Sequence, residues 1–293
     1  MARNYAAYCF LKYVFRIESI EEDSFENVPN IIDLQLAENR LISSNIAQNT
    51  FRGLLNLEQV SFRENDLTIF PTNLPSSLRQ IDLSNNRLLQ VGQNSLQHLV
   101  LLEELNLEKN QLADGSFNEN HSNGNHHLLS RLKRLKELNL SFNQLRSIPM
   151  NLSDTLVNLR ISHNNLKFIF KNQLLQLKNL RSLDLGYNRL TSVEKDAFES
   201  LTSLNRFAYR LNHKAFIAQS ITLFYYVIHF KAWDIGELMA MRLLFTWLPS
   251  LFTAKRNTSW FSRENKMLQY WYYWNGSCWT WHCPGLCFRV YTS

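Results

Sequence analysis

Residues 180–190 read Leu-Arg-Ser-Leu-Asp-Leu-Gly-Tyr-Asn-Arg-Leu, and their spacing decides the fold because it recurs along the chain. The frame L-x-x-L-x-L-x-x-N-x-L first starts at Ile31 and occurs seven times. Leucines separated by one residue point to the same side of a short strand. One such repeat cannot bury its apolar face alone, but stacked repeats share a core. The sequence therefore predicts an α/β solenoid with short parallel strands on a concave face and an irregular or short-helical convex face.

The asparagines of the frame are predicted to have a structural role. They are Asn39, Asn65, Asn86, Asn110, Asn143, Asn164 and Asn188. An amide side chain both donates and accepts hydrogen bonds, so it can satisfy backbone groups that a tight turn leaves unpaired. We therefore expect a ladder of asparagines that repeats from coil to coil.

The repeat lengths point to a family. Successive asparagines are 26, 21, 24, 33, 21 and 24 residues apart. The short repeats contain Pro71 and Pro149, which fix φ and predict an extended return segment. The frame is the leucine-rich repeat signature, and the short-long-long alternation with its I/F-P-x-N-L segments resembles the small leucine-rich repeat proteoglycans, within them the nephrocan and podocan group. The resemblance covers residues 16–212. It implies a secreted extracellular matrix glycoprotein that binds collagen or a growth factor of the transforming growth factor β type, and so regulates signalling.

Composition divides the chain into three parts. We predict a non-repeat segment at 1–15, a solenoid of about seven full repeats plus partial ends at 16–212, and a non-repeat tail at 213–293 that holds all seven tryptophans. A membrane-seeking or aromatic binding tail is one interpretation of that tail. The favoured interpretation is a poorly ordered end that arises from an alternative exon, intron read-through or a frameshift.

The apolar stretch 215–230 is sixteen residues long, whereas a membrane-spanning helix needs about 20. A membrane anchor is therefore not predicted. A fragment of a leucine-rich repeat receptor ectodomain is the alternative function.

The two ends depart from the family pattern. Phe15 stands where the ladder would have its preceding asparagine, and the frame stops after Asn188. The short apolar run at 6–11, which Lys12 ends, does not predict a signal peptide. The resemblance implies cysteine clusters at both ends, yet only Cys9 precedes the repeats. We therefore predict a chain truncated at both ends relative to the family, with a solenoid that frays from its ends.

The residues that follow the strand leucines are predicted to form the ligand surface. They have no obvious duty in the core, so aromatic and charged side chains there are informative. Aromatic residues and arginine are the usual anchors of protein interfaces. The candidate ligand-binding residues are Arg63, Glu64, Glu108, Lys109, Phe142, Arg160, His163 and Tyr187. We expect Phe142, His163 and Tyr187 to form one exposed ridge beside Arg160; the alternative is an ordinary mixed surface.

No enzymatic activity, cofactor or metal site is predicted. Ser162, His163 and Asp184 are close in the frame, but nothing supplies an oxyanion hole. The three histidines of the insertion at 114–127 lie in an Asn/Gly/Ser-rich loop, so an ordinary loop is favoured over a metal site. The cysteines at 278, 283 and 287 lack paired C-x2-C spacing, so unrelated cysteines of the tail are favoured over a zinc site.

The net charge of +6 is spread out, and nucleic acid is not a predicted partner. The basic run at 131–136 is interpreted as a solvated face, with a patch for sulfated glycosaminoglycan as the alternative. Glycosylation sequons lie in the repeats at Asn120, Asn139 and Asn151.

Overall fold

In the computed structural model, the described residues are 17–117 and 128–211, together with the backbone of short strands at 7–10, 272–274, 278–283 and 286–291. Twelve of their fourteen strands form one sheet in the order β1-β2-β3-β4-β5-β6-β7-β9-β11-β14-β13-β12. The strands are β1 (Ala7–Phe10), β2 (Ile31–Gln35), β3 (Gln59–Ser61), β4 (Gln80–Asp82), β5 (Glu104–Asn106), β6 (Glu137–Asn139), β7 (Asn158–Arg160), β8 (Phe168–Ile169), β9 (Ser182–Leu190), β10 (Ser192–Val193), β11 (Arg206–Leu211), β12 (Tyr272–Trp274), β13 (Cys278–Cys283) and β14 (Leu286–Tyr291).

The concave face is a parallel sheet with one strand per repeat. From β1 to β11 each strand pairs in parallel with its neighbour, and the second leucines of the frame are in register, as in Leu105 opposite Leu138. β14 pairs in parallel with β11, and β13 and β12 then pair antiparallel. The predicted α/β solenoid is thus the observed fold.

The convex side is irregular with single turns of helix. α1 spans Gln93–Leu96 and α2 spans Lys171–Leu174, while short 3-10 helices span Ser43–Asn45 and Leu129–Arg131. The return segments that contain Pro71 and Pro149 are not helical, as proline predicts. β8 and β10 form a small second sheet at the edge of the convex side.

One continuous apolar core runs along the solenoid. The frame leucines are almost completely inaccessible to solvent, and the core extends from Ile20 to Phe207. In the first half Phe51 stacks on Phe25 and meets the edge of Phe62, with ring centroids 6.0 and 5.6 Å apart. Because each repeat contributes to its neighbours' core, the repeats stabilise one another rather than themselves.

The asparagine ladder is present at every rung. The Oδ1 atom of Asn110 accepts from the backbone N–H of Leu88 at 2.9 Å, and its Nδ2 donates to the carbonyls of Leu83 and Leu107 at 2.9 and 3.1 Å. Leu107 O also accepts from Asn143. Each such carbonyl between Asn39 and Asn188 is therefore shared by two asparagines, one from its own repeat and one from the next.

Three repeats form a larger unit that occurs twice, offset by 78 residues. Asn65, Asn86 and Asn110 correspond to Asn143, Asn164 and Asn188. Side-chain hydrogen bonds on the convex side repeat with the same offset: Ser77 Oγ donates to Leu57 O as Thr155 Oγ1 donates to Leu135 O, both at 2.8 Å. The second unit can therefore be compared with the first, position by position.

Several predictions fall on residues that the structure does not describe. These are the sequon at Asn120, the histidine-rich part of the insertion, the apolar stretch 215–230 and the order of most of the tail.

The ladder pattern continues one repeat before the first ladder asparagine, because Asn39 Oδ1 accepts from the backbone N–H of Ile17. Within the described ranges no helix is long and apolar enough to cross a membrane.

Candidate functional site

The residue before each ladder asparagine has a left-handed backbone conformation. Its φ lies between 52° and 59° in all seven repeats, and the residues are Glu38, Glu64, Asn85, Lys109, Phe142, His163 and Tyr187. None is glycine, so each left-handed residue costs about 1–2 kcal/mol of backbone strain, which the fold as a whole must offset. The conformation turns these side chains onto the edge of the concave face, where they form a single column.

In the second unit this column is an aromatic ridge, which we define as Phe142, His163 and Tyr187. The His163 ring lies parallel to both neighbours, with centroids 3.9 Å from Phe142 and 4.2 Å from Tyr187. Neighbouring strands lie about 4.8 Å apart, so rings at equivalent positions must stack. The Nζ atom of Lys109 lies 5.6 Å from the Phe142 centroid and extends the stack by a cation–π contact.

The ridge is open to solvent along its edge. Phe142 is 40% and Tyr187 39% exposed, whereas His163 between them is half-buried. Burial lowers the pKa of His163 below its ordinary 6.5, and the carboxylates of Asp184 and Glu108 oppose this shift. His163 is therefore neutral near pH 7, and the ridge presents a largely uncharged surface.

The first unit has polar residues at the same three positions. Glu64, Asn85 and Lys109 share the left-handed conformation and precede the same ladder asparagines. Because these positions keep the fold without any ring, the aromatic residues of the second unit are not needed for folding.

The residues two positions before the ladder asparagines form a column between the strand and the ridge, and this column is more buried than its pattern predicts. Ser84, Ser141 and Ser162 are buried, although we expected this column to be free of core duty. The hydroxyl of Ser162 donates to Ser141 Oγ at 3.1 Å, so it does not serve His163 as a nucleophile. In the second unit this column is completed by Gly186, where an added Cβ would lie 3.1 Å from Asp184 Oδ1.

The concave face is acidic although the chain is basic. From β2 to β9, four positions of each repeat face the concave side, namely those one, two, four and six residues before the ladder asparagine. Together they contain eight carboxylates against three cations, a net charge of −5, whereas the whole chain has +6. The carboxylates are Asp33, Glu38, Glu64, Asp82, Glu104, Glu108, Glu137 and Asp184, and the cations are Arg63, Lys109 and Arg160.

The floor of the concave face was missed by sequence reasoning. A hollow of about 320 Å³ lies over β2 to β7, with Glu104 and Glu137 side by side in register. Burial, and then the charge of Glu137, raise the pKa of Glu104. Amides hold both carboxylates, since Gln80 donates to Glu104 and Asn158 to Glu137. The repeat frame does place the two glutamates at equivalent positions, because each lies two residues before the residue that separates the two strand leucines.

The structure separates the eight candidate ligand-binding residues into groups. Lys109 and the ridge are in contact. Glu108 precedes Lys109 in the chain and accepts from Asn139 Nδ2 at 3.0 Å. Arg160 lies on β7 at the centre of the face. Arg63 and Glu64 lie three repeats before Phe142 and form an ion pair with each other at 2.5 Å. The candidate surface therefore consists of a ridge group and a separate first-unit pair.

The two described sequons differ in their surroundings. Asn139 lies on the concave floor, and a glycan there would displace its hydrogen bond to Glu108. Asn151 lies on the convex side with φ of 54°, followed by a fully buried Ser153. Metal-binding groups of histidine, cysteine or carboxylate side chains are absent from the described part of the chain.

Family models of the repeat match most of the solenoid. The model described as "BspA type Leucine rich repeat region (6 copies)" matches residues 8–124, and two models described as leucine rich repeat match 134–154 and 154–207. The chain is a leucine-rich repeat protein, related to the small leucine-rich repeat proteoglycans.

Its relatives include osteomodulin from Bos taurus, 32% identical over 53% of this chain and 35% of the relative. Lumican from Coturnix japonica is 34% identical over 54% of this chain and 45% of the relative, and podocan-like protein 1 from Mus musculus is 35% identical over 50% and 25%. The chain thus spans less than half of the length of these relatives.

These proteoglycan relatives are secreted proteins of the extracellular matrix and belong to a non-enzymatic, protein-binding class. The predicted family and extracellular location are confirmed at that level, and the relatives are of the non-enzymatic class that the sequence predicts.

Solved structures show the same fold. A chain of the octameric complex of Latrophilin 3, Unc5D and FLRT2, the last present as its leucine-rich repeat domain, superposes with a TM-score of 0.61 at 23% identity, over 68% of this chain and 58% of the other. The TLR13–ssRNA13 complex gives a TM-score of 0.56 at 25% identity, over 67% of this chain and 26% of the other. Both likenesses concern the fold alone.

Proposed function

We propose that this chain is an extracellular matrix solenoid that binds collagen or a growth factor of the transforming growth factor β type through its concave face. The observation that supports this most strongly is the aromatic ridge. Three stacked rings stand at positions where the first unit has glutamate, asparagine and lysine, so they are available for an interface. Stacked rings lose little conformational freedom on binding, which favours affinity.

The acidic field of the concave face favours a partner that presents lysine or arginine. Complementary charge of this kind steers association and weakens as salt increases. Both proposed ligands are tested against the same face: triple-helical collagen with heat-denatured collagen as its control, and the growth factor in solution.

A sulfated glycosaminoglycan is a further proposed partner, at a different place. The concave face would repel sulfate, whereas Arg131, Lys133, Arg134 and Lys136 are exposed outside it. Two of these four already form ion pairs, Lys133 with Asp154 and Lys136 with Glu103, so the run offers only part of its charge. Retention on immobilised heparin that is lost when the four residues become glutamine tests this contact.

The decisive experiment exchanges the ridge for its first-unit counterpart. The triple variant Phe142→Glu, His163→Asn and Tyr187→Lys places residues that tolerate φ near 55° at each position. It should fold with unchanged circular dichroism, and because interface aromatics contribute about 2 kcal/mol or more each, its affinity for the ligand should fall more than about tenfold.

The matched control removes an exposed ring elsewhere. Phe168 is 46% exposed at the convex edge, on β8, so Phe168→Ser deletes comparable apolar surface away from the concave face. Its affinity should equal that of the unmodified protein. Undiminished binding of both ligands by the triple variant would refute the ridge as the binding surface.

A further inference from the structure

His163 lies at the centre of the ridge, between two uncharged rings. It therefore gives the proposed interface one ionisable group. Phe142 covers one face of the imidazole and Tyr187 the other, at 3.9 and 4.2 Å between centroids. The ring is half-buried before any partner binds, so its contact with water is confined to its edge.

The charged groups around His163 belong to three repeats. The repeat of β5 contributes Glu108 and Lys109, that of β7 contributes Arg160, and β9 contributes Asp184 and the Tyr187 phenol. The two carboxylates favour the imidazolium, but burial outweighs them and keeps the pKa of His163 below its ordinary value. Further burial therefore disfavours the charged ring even more.

A partner that covers the ridge removes the remaining edge from water. The partner favoured above also brings positive charge, which repels an imidazolium. Both effects act in the same direction, because each makes the neutral form of His163 the form that binds.

We propose that His163 makes binding at the aromatic ridge sensitive to acid, so that the matrix ligand is held at neutral pH and released as the pH falls. This inference rests on the proposed function and concerns the regulation of the same site. A single proton weakens binding by at most about tenfold for each pH unit below the pKa of the free protein.

The test uses His163→Phe in the full chain. Phenylalanine already occupies the equivalent left-handed position at 142, so the variant keeps the conformation and the stack but cannot titrate. It isolates the proton of His163 from the carboxylates of the concave face, which also titrate in acid and remain in the variant.

The first measurement needs no ligand. The His163 ring resonance, assigned by its absence from the His163→Phe spectrum, is titrated by NMR in the folded protein. We expect a pKa below 6.5. A pKa at or above that value would mean that the carboxylates outweigh burial, which would overturn the premise of the inference, whatever the ligand.

The stability of the two proteins gives a second readout without ligand. The folded pKa of His163 is lower than the unfolded one, so its contribution to stability is present above pH 6.5 and is lost as pH falls through the folded pKa. The free energy of unfolding should thus fall further in acid for the unmodified protein than for His163→Phe. Equal falls would contradict the inference.

The binding measurement compares dissociation constants at about pH 7.4 and about pH 5.5, for collagen and for the growth factor. The unmodified protein should lose affinity more steeply than His163→Phe. Parallel losses in the two proteins would overturn the inference but leave the proposed function intact. Failure of both ligands to bind at neutral pH would instead refute the proposed function, and the two ligand-free measurements would still decide whether His163 responds to protons as described.

Discussion

Removal of one ladder asparagine tests the account of the fold most directly. In Asn110→Ala the backbone N–H of Leu88 loses the acceptor that Asn110 Oδ1 provides at 2.9 Å. A buried donor left without a partner costs about 1–3 kcal/mol. The carbonyls of Leu83 and Leu107 each lose one donor but keep another, from Asn86 and Asn143 respectively. Each of these two lost hydrogen bonds therefore costs only about 1 kcal/mol, and the expected total is roughly 3–5 kcal/mol.

The variant Asn110→Asp tests the hydrogen-bond acceptor role of this side chain separately from its donor role. The carboxylate can still accept from Leu88 N–H but faces two carbonyl oxygens to which it cannot donate. The pKa of the new carboxyl should be raised in the folded state, so the variant should be least destabilised, relative to the unmodified protein at the same pH, in acid. Protonation there restores one donor.

Urea unfolding, followed by far-UV circular dichroism, measures both variants against Asn56→Ala. Asn56 is exposed and donates only to Asn30 at 3.3 Å, so its loss should change the unfolding free energy by less than about 0.5 kcal/mol. If Asn110→Ala proved no more destabilising than Asn56→Ala, the shared-carbonyl ladder would not be what holds adjacent repeats together.

Three further perturbations probe other features. Phe62→Ala should destabilise by about 3–5 kcal/mol in the same unfolding assay, because Phe62 is fully buried against Phe51; a loss below 1 kcal/mol would mean that the core collapses around the deletion. Asn85→Val should cost about 1–2 kcal/mol because a β-branched residue resists the φ of 57°, whereas Asn85→Gly should stay within about 0.5 kcal/mol; equal stability of the two variants would argue against backbone strain. Gly186→Ala should reduce stability by about 1 kcal/mol, since the new Cβ displaces Asp184 Oδ1 from its 2.8 Å hydrogen bond with Gly186 N–H, and a crystal structure of the variant with that bond intact would contradict this.

The fold was predictable because it depends on spacing. Seven repetitions of one frame place every frame leucine in the core and every ladder asparagine in its turn, whatever the residues between them. The 78-residue unit was also present in those spacings but becomes meaningful only when equivalent hydrogen bonds, such as those of Ser77 and Thr155, are seen to repeat.

The surface was less predictable because side-chain direction there depends on φ. The alternation that places Gln35 and Arg160 on the face gives no sign that the residue before each ladder asparagine is left-handed, and it wrongly treats Ser141 and Ser162 as free surface. The acidic floor at Glu104 and Glu137 was missed because it needs two repeats to be compared: the two residues are 33 positions apart in the chain and meet only when their strands pair in register.

The hydrogen bonds of the ladder also keep the same length whatever the number of residues in a repeat. Asn143 accepts from Leu112 N–H across a 33-residue repeat at 3.0 Å, and Asn164 accepts from Leu145 N–H across a 21-residue repeat at the same distance. The length of a repeat can therefore change without changing the spacing of the strands. Peptides or small domains inserted at the insertion that begins at Asp114 should leave the concave face, and any ligand on it, in place.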